Sequence, residues 1–397
     1  RAAVERIGEA AEREFDEAEG GWLLHPQDEP PTPGARSSNL YWGAAGVVWA
    51  LRDLSARGAL ALRRDYTPWL LQYPERVRRE AADEQHGTAS YLFGESAPLC
   101  MAWQATREDA LADRLHAVVR GNLHNPVREP LWGNPGTLLA AVHMAEALGG
   151  TAEARRWHAL LADAVRALHD EMELSAETGT WLWEQDLYGA RWRHLGAGHG
   201  LAGNAYAAWR AGTVLAGHHD AAAALARTVV RRSVQTLQAT ALWARHPADA
   251  GASPGDAAEV ALVNWHVMVD RARVDAWLAK GGRPLVQDCH GAPGVVCRLA
   301  GVEVEAGEGD GAGGSASRDG NGTGSMGDRG PAAGPTWNDL LRAAGELTWR
   351  AGPLAKGPSL CHGTAGSALA CLKLWRRFGE PPWLDRARQL AMHAAEQ

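Results

Sequence analysis

The sequence predicts an all-α protein built from repeated helix pairs, and three observations lead to that prediction. Long stretches rich in Ala, Leu, Arg and Glu place apolar residues three and four positions apart, as in 152–171 and 221–244, which is typical of amphipathic helices. Alternating runs of Val, Ile and Thr are scarce, so we expect no sizeable sheet. The third observation is a glycine motif that recurs along the chain.

The motif consists of two glycines three residues apart, followed by an apolar, alanine-rich helical run. It occurs six times, and the first glycines of the six units are Gly43, Gly94, Gly133, Gly200, Gly291 and Gly363. The second glycine is kept in every unit except the second, where Ala97 replaces it. Glycine lets the first turn of a helix approach other backbone closely. The repeat therefore predicts a ring or solenoid of helix pairs in which all motif helices begin at the same end.

The intervals between first glycines run from 39 to 91 residues, so each has room for a helix and a returning helix. The last interval, 72 residues, contains a glycine-rich stretch at 305–335 that predicts a mobile surface loop within a single domain spanning 1–397. Residues 246–256 are a second predicted loop. Residue 1 is Arg and not Met, which suggests a fragment of a longer protein.

Composition excludes several classes of protein. The net charge of −7 gives no basic surface for nucleic acid or anionic lipid. No apolar run reaches the roughly 18 residues that a membrane span requires. Five cysteines, an odd number in a chain of 397 residues, favour a reducing compartment, and we predict a cytoplasmic protein.

The two residues before each first glycine change character along the chain. In the first three units they are Tyr41-Trp42, Leu92-Phe93 and Leu131-Trp132, all of them packing residues, whereas in the last three they are Gly198-His199, Cys289-His290 and Cys361-His362. If the helix starts converge, two cysteines and an imidazole meet there, which is a ligand set that Zn²⁺ prefers and that leaves a fourth position open. The residues predict a site of Cys289, Cys361 and either His362 or His290.

The alternative to a metal site is a pair of small buried cysteines with histidines that bond to nearby backbone. Cys100, Cys297 and Cys371 lie inside helical runs, and we interpret them as core residues. A thiolate-ligated zinc suits the binding and activation of a further thiol. A thiol that adds to an electron-poor alkene also needs a proton donor, and His199 is the natural candidate.

Three segments, GAGHGLAGNAY, CHGAPGVV and LCHGTAGSA, closely resemble the motif set of the lanthionine synthetase C family and its LanC-like relatives. The resemblance extends from about residue 39 to the C-terminus. It implies an α,α-toroid of seven inner and seven outer helices with one zinc ion. Family members add cysteine thiols to dehydroalanine or dehydrobutyrine in peptides to form thioethers, and LanC-like members use or bind glutathione instead.

The resemblance implies that Cys289, Cys361 and His362 are the zinc ligands and that His199 is an acid/base residue. It places His290 near the reacting centre, where cyclases often have Tyr, and Glu129 where several cyclases have a catalytic Asp. A structural role for Glu129, as an exposed carboxylate where a helix begins, is the alternative.

The chain also departs from the family pattern. Asp288 stands where the family usually has Trp, and Leu285 lies in the neighbourhood of a family Arg, with Arg283 the nearest arginine. A seventh unit is expected after the sixth but is missing from this chain, so either the sequence is truncated or a neighbouring domain completes the ring. His290 points to the LanC-like branch.

Three functions remain open from the sequence. The first is a zinc enzyme that adds a peptide cysteine or glutathione to a dehydroamino acid of a peptide or protein. The second is a module that binds zinc and glutathione without turnover. The third is a carbohydrate-active toroid, which requires a pair of acid/base carboxylates at the mouth of the cavity.

Overall fold

The computed structural model describes residues 1–26, 32–82, 87–247, 259–304, 335–355 and 357–397. The helices in these residues are α1 (Ala2–Glu14), α2 (Ala44–Ala56), α3 (Thr67–Leu70), α4 (Tyr73–Glu80), α5 (Ser96–Thr106), α6 (Asp109–Gly121), α7 (Asn134–Leu148), α8 (Ala154–Asp170), α9 (Leu201–Leu215), α10 (Asp220–Ala239), α11 (Arg271–Ala279), α12 (Ala292–Leu299), α13 (Trp337–Arg350), α14 (Thr364–Phe378) and α15 (Pro381–Glu396). The strands are β1 (Glu173–Leu174), β2 (Trp181–Leu182), β3 (Gln185–Leu187), β4 (Ala190–Trp192), β5 (Leu242–Pro247) and β6 (Glu259–Asn264). They form three antiparallel pairs, β1–β2, β3–β4 and β5–β6. The predicted all-α class is confirmed.

The helices form two layers of pairs. Each glycine motif begins one helix, and these motif helices are α2, α5, α7, α9, α12 and α14. From α5 onwards, each motif helix packs against the next one, and the helix that follows it in sequence packs alongside. In the second layer α8 packs against both α6 and α10. Helix pairs packed side by side are the arrangement that the repeat predicted.

The composition of each layer follows from its surroundings. The motif helix α7 is buried on most of its faces because it lies between neighbouring motif helices and α8. The second-layer helix α8 is amphipathic, and its apolar residues, such as Trp157, Leu161 and Leu168, point inward. Fully burying a leucine contributes about 1.5–3 kcal/mol, so these stripes hold the layers together. In the part of the chain that the structure describes, no helix combines the length and apolarity needed to cross a membrane.

The second glycine of the motif makes room for a carbonyl group. In the five units that have it, a Cβ atom would lie within 2.3 Å of the carbonyl oxygen six residues earlier; these glycines are Gly46, Gly136, Gly203, Gly294 and Gly366. The backbone that approaches the second glycine is thus the loop before the same helix, which folds back over the first turn. This loop, which we call the motif loop, carries the two variable residues before the first glycine.

Some predicted boundaries differ from the structure. The helix predicted over 221–244 ends at Ala239, because Leu242–Pro247 pairs with Glu259–Asn264 as β5 and β6. The predicted loop at 246–256 is wrong at its start, since residues 246 and 247 belong to β5, and residues 248–256 lie outside the described residues. The β5–β6 pair and α11 account for the longest interval between motifs. The glycine-rich segment, from residue 305 to residue 334, also lies outside the described residues.

Candidate metal centre and its surroundings

The motif loops meet at one end of the helix layers, as predicted. The ring of Phe93 lies 4.9 Å from that of Tyr41 and 4.6 Å from that of Trp132, measured between centroids. Further along the chain, the rings of His199 and His290 are stacked at 5.6 Å. The aromatic variable residues of the first three units are therefore in contact with one another, and so are the histidines of the fourth and fifth units.

Backbone hydrogen bonds fix the motif loops of the last three units to one another. The amide of Gly198 donates to the carbonyl of Cys289 at 3.0 Å, and the amide of Cys289 donates to the carbonyl of Cys361 at 3.3 Å. Asn264, at the end of β6, hydrogen-bonds to both sides of the motif loop that carries Cys289. Its Nδ2 donates to the Leu285 carbonyl at 3.1 Å, and its Oδ1 accepts from the Ala292 amide at 2.9 Å.

Cys289, Cys361 and His362 form a set of possible metal ligands. Their sulfur and imidazole nitrogen atoms all lie within 4.8 Å of one another, and Cys361 Sγ is 3.7 Å from His362 Nε2. A tetrahedral zinc site places sulfur and nitrogen ligands roughly 3.5 Å apart and two sulfurs roughly 3.8 Å apart. The donor set and its spacing therefore fit zinc. Among the described residues, His362 and not His290 completes the set.

The two cysteine side chains interact with each other and with further residues. The hydrogen bond between them raises the pKa of Cys289 and lowers that of Cys361. Gln287 Nε2 donates to Cys289 Sγ at 3.1 Å, and the Tyr41 hydroxyl lies beside Cys361. Burial, followed by this contact, raises the pKa of Tyr41, so its hydroxyl stays protonated. The Tyr41 contact joins the first unit to the sixth at this end of the protein.

The other three cysteines are core residues, as the sequence predicted. Cys100, Cys297 and Cys371 are buried within α5, α12 and α14. Burial raises the pKa of Cys100 and of Cys371 to about 12, and that of Cys297 well above its ordinary value. They remain neutral thiols.

A third histidine accompanies the two that the sequence indicated. The ring of His194 lies 6.0 Å from that of His199 and 5.9 Å from that of His290. Burial, and then the charges of the neighbouring histidines, lower the pKa of His194 and of His290 to about 3, so both rings are neutral at physiological pH. Sequence reasoning missed His194, although it stands only five residues before His199 in the same loop.

Glu129 lies next to His199. Its Oε2 atom is 3.2 Å from His199 Nδ1, which is close enough for a charge interaction although the atoms are not aligned for a hydrogen bond. The carboxylate also accepts hydrogen bonds from the amides of Trp132 at 2.8 Å and Leu131 at 3.2 Å. Glu129 is fully buried, so the alternative of an exposed carboxylate is wrong. The motif loop before α7 folds over this side chain and excludes water from it.

The departures from the family pattern have visible consequences beside the cysteines. Asp288 is buried and accepts two hydrogen bonds from Arg298, at 2.8 and 3.3 Å. Its charge is therefore neutralised within its own unit, by α12. The backbone carbonyl of Leu285 accepts the hydrogen bond from Asn264, and Arg283 is exposed at the surface.

Comparisons with known proteins agree with this description. Residues 333–397 match the family model "Lanthionine synthetase C-like protein". A search of curated proteins gives no significant match. Six chains of solved structures match, among them one named "Nisin cyclase", which is 13% identical with a TM-score of 0.50 over 91% of this chain and 83% of that chain. At that identity the likeness concerns the fold, and it confirms the toroid class. The family model over residues 333–397 and the likeness of the fold are both similarities to lanthionine synthetase C-like proteins.

Proposed function

We propose that this protein uses zinc to add a thiol to a dehydroalanine or dehydrobutyrine residue of a peptide, forming a thioether. The observation that carries the proposal is the juxtaposition of two groups at the end where the motif loops meet. One is the set Cys289, Cys361 and His362, within 4.8 Å of one another, and the other is the pair His199 and Glu129. His290 lies between the two groups and contacts His199.

Cys289, Cys361 and His362 would hold the zinc. Three protein ligands leave a fourth position for a substrate thiol, and the chemistry that zinc supplies when bound is a lower pKa for that thiol. Gln287 orients the Cys289 sulfur through a hydrogen bond, and Tyr41 packs beside Cys361. The thiol donor is either a cysteine of the same peptide or a small thiol such as glutathione.

His199 would move the proton. The reaction forms a C–S bond at the β-carbon of the dehydroamino acid, while the π-electron pair of the alkene becomes an enolate. Protonation of the α-carbon then completes the net addition of S–H across the double bond. We assign that proton transfer to His199, with Glu129 against Nδ1 so that Nε2 exchanges the proton. His290, kept neutral by burial, stacks on His199 and so helps to position the ring that transfers the proton.

The carboxylates at this end do not favour a carbohydrate-active enzyme. Among the described residues of the motif loops, Glu129 is committed to two backbone amides and Asp288 to Arg298. Neither is available as one of a pair of acid/base carboxylates facing a substrate. The zinc- and glutathione-binding module without turnover is distinguished by the experiment below.

The test combines metal analysis with a mass-spectrometric assay. The wild-type protein should contain one equivalent of zinc, and Cys361→Ala should lose it, whereas the core variant Cys371→Ala should keep it. A peptide with one dehydroalanine and one cysteine is incubated with each protein and then alkylated, because ring closure changes no mass but removes the alkylatable thiol. A parallel reaction supplies glutathione to a peptide without cysteine.

Loss of the alkylatable thiol, or a glutathione adduct, with wild-type and Cys371→Ala but not with Cys361→Ala would support the proposal. A zinc-loaded protein that gives neither product would be a binding module. Zinc retained in Cys361→Ala would contradict the ligand assignment.

A further inference from the structure

The hairpin of β3 and β4 contains an unfavourable residue at its turn. Leu187 pairs with Ala190, so the connection consists of two residues, Tyr188 and Gly189. Both have positive φ angles, 54° and 73°, as in a type I′ turn. Asn, Asp or Gly normally takes the first position of such a turn, and a bulky residue there costs conformational free energy.

The hairpin is fixed to the histidine cluster. The indole nitrogen of Trp192 donates to the Leu187 carbonyl at 3.0 Å, which ties the two strands together. The Trp192 ring stacks on His194, with 5.4 Å between the centroids and 19° between the planes. The guanidinium of Arg273 lies over the same Trp192 ring, 4.4 Å from its centroid. The position of the turn relative to the histidines is therefore set by packing.

This anchoring places the Tyr188 ring next to His199. The two ring centroids are 6.1 Å apart and the planes meet at 70°, an edge-to-face contact. Tyr188 is nevertheless 74% exposed, the largest exposure among the large apolar and aromatic residues that the structure describes as exposed. A bulky residue with positive φ costs conformational free energy, and backbone strain of this kind is often found at functional sites.

We propose that Tyr188 is a substrate-contacting residue, whose ring packs against the peptide that is held beside His199. The inference rests on the proposed function, because the ligand is the peptide bearing the dehydroamino acid. The contact is made by the aromatic ring and not by the hydroxyl group, since the ring is the part that lies against His199. The hairpin is thereby one wall of the binding site, and its strain is maintained for binding.

The substitution Tyr188→Asn separates binding from stability. Asn is favoured at this turn position, so the variant should melt at the same temperature as the wild type or higher. Its KM for the dehydroalanine peptide should rise about threefold to tenfold, because an aromatic contact is lost, while kcat changes less than twofold. Tyr188→Phe keeps the ring and should retain the wild-type KM. Leu174→Asn, an exposed apolar residue on the neighbouring hairpin, is the control and should not change KM.

An unchanged KM in Tyr188→Asn, or an equal loss in Tyr188→Phe, would overturn the inference. If the wild-type protein forms no product, the proposed function fails, and binding of the fluorescently labelled dehydroalanine peptide to the zinc-loaded protein is measured by anisotropy instead. Weaker binding by Tyr188→Asn than by wild type would then still support a peptide contact, and equal binding would reject it.

Discussion

Glu129 and His199 come from successive units of the repeat, and the carboxylate Oε2 lies 3.2 Å from the imidazole Nδ1. Two backbone amides of the motif loop before α7 already bind that carboxylate. Its position is therefore set by the loop and does not depend on the histidine. The carboxylate is preorganised, and His199 enters a site where a negative charge is already in place.

Replacing this charge should slow the reaction and leave zinc binding intact. We expect Glu129→Gln to lower kcat by on the order of 100-fold, because the amide no longer supplies a charge to His199, and to leave the zinc content unchanged. The matched control is Glu95→Gln, which alters a buried glutamate of the second unit that pairs with Arg114. Steady-state kinetics with metal analysis check this, and full activity in Glu129→Gln would rule out the assigned role.

Removal of the metal should destabilise the fold. Cys289 lies in the loop before α12, and Cys361 and His362 lie in the loop before α14, so a bound ion links two units. A ligand at 1,000 times its Kd stabilises a folded protein by about 4 kcal/mol. We expect a strong chelator to lower the Tm of the wild type by several degrees and to leave that of Cys361→Ala unchanged, as measured by calorimetry. A wild-type Tm that does not respond to the chelator would speak against a zinc that bridges the units.

The second glycines of the motif should resist substitution by alanine. A Cβ at Gly294 would lie 1.8 Å from the carbonyl oxygen of Asp288, and one at Gly136 would lie 2.0 Å from that of Pro130. Both variants should lose at least about 1–3 kcal/mol, as overpacked cores do. Only Gly294→Ala should also weaken zinc binding, because it displaces the loop that carries Cys289.

Chemical denaturation and a zinc competition assay measure the two effects. Gly150→Ala is the control, since no atom lies within 4 Å of the added methyl group, and it should be neutral or slightly stabilising. Equal stability of Gly294→Ala and Gly150→Ala would contradict the role of the motif loop.

Stability should decrease with acid through His194. The pKa of this ring is about 3 in the folded protein, because of burial and the nearby charges of His290, His199 and Arg273, and about 6.5 in an unfolded chain. Between these values the unfolded state binds more protons, so the free energy of unfolding is highest above pH 6.5 and decreases as the pH falls towards 3. Between pH 8 and 5.5, the Tm of His194→Gln should therefore fall less than that of the wild type.

Thermal denaturation across this pH range tests the difference. His393→Gln, which changes an exposed histidine of α15, should show the wild-type slope. A slope in His194→Gln as steep as that of the wild type would show that another group dominates the acid sensitivity.

The glycine motifs carried most of what the sequence could predict. They located the starts of the six motif helices, and their alignment predicts that Cys289, Cys361 and His362 lie at one end. The sequence alone left His290 and His362 as equal candidates, because adjacent residues in a loop point in directions that only the backbone conformation decides.

Other parts of the site carried no such signal. Tyr41 was grouped with the packing aromatic residues, and its contact with Cys361 depends on the approach of the first and sixth units. Asn264 hydrogen-bonds to the loop that carries Cys289, but it lies in the longest interval between motifs, where no sequence pattern indicates its role. Tyr188 depends on a turn conformation that its residue type disfavours, so propensity argued against the structure that forms.

The close approach of the motif loops to their helices has a consequence for how this scaffold can change. In five of the six units the second glycine leaves room for the carbonyl six residues earlier, so the backbone of the motif loop lies against its helix in the same way whichever residues precede the first glycine. Three motif loops carry aromatic residues there and three carry donor atoms on otherwise equivalent supports. Because the ligand set comes from two loops, relocating the reactive centre would require moving the Cys-His pairs of two neighbouring units together, while the helices below stay the same.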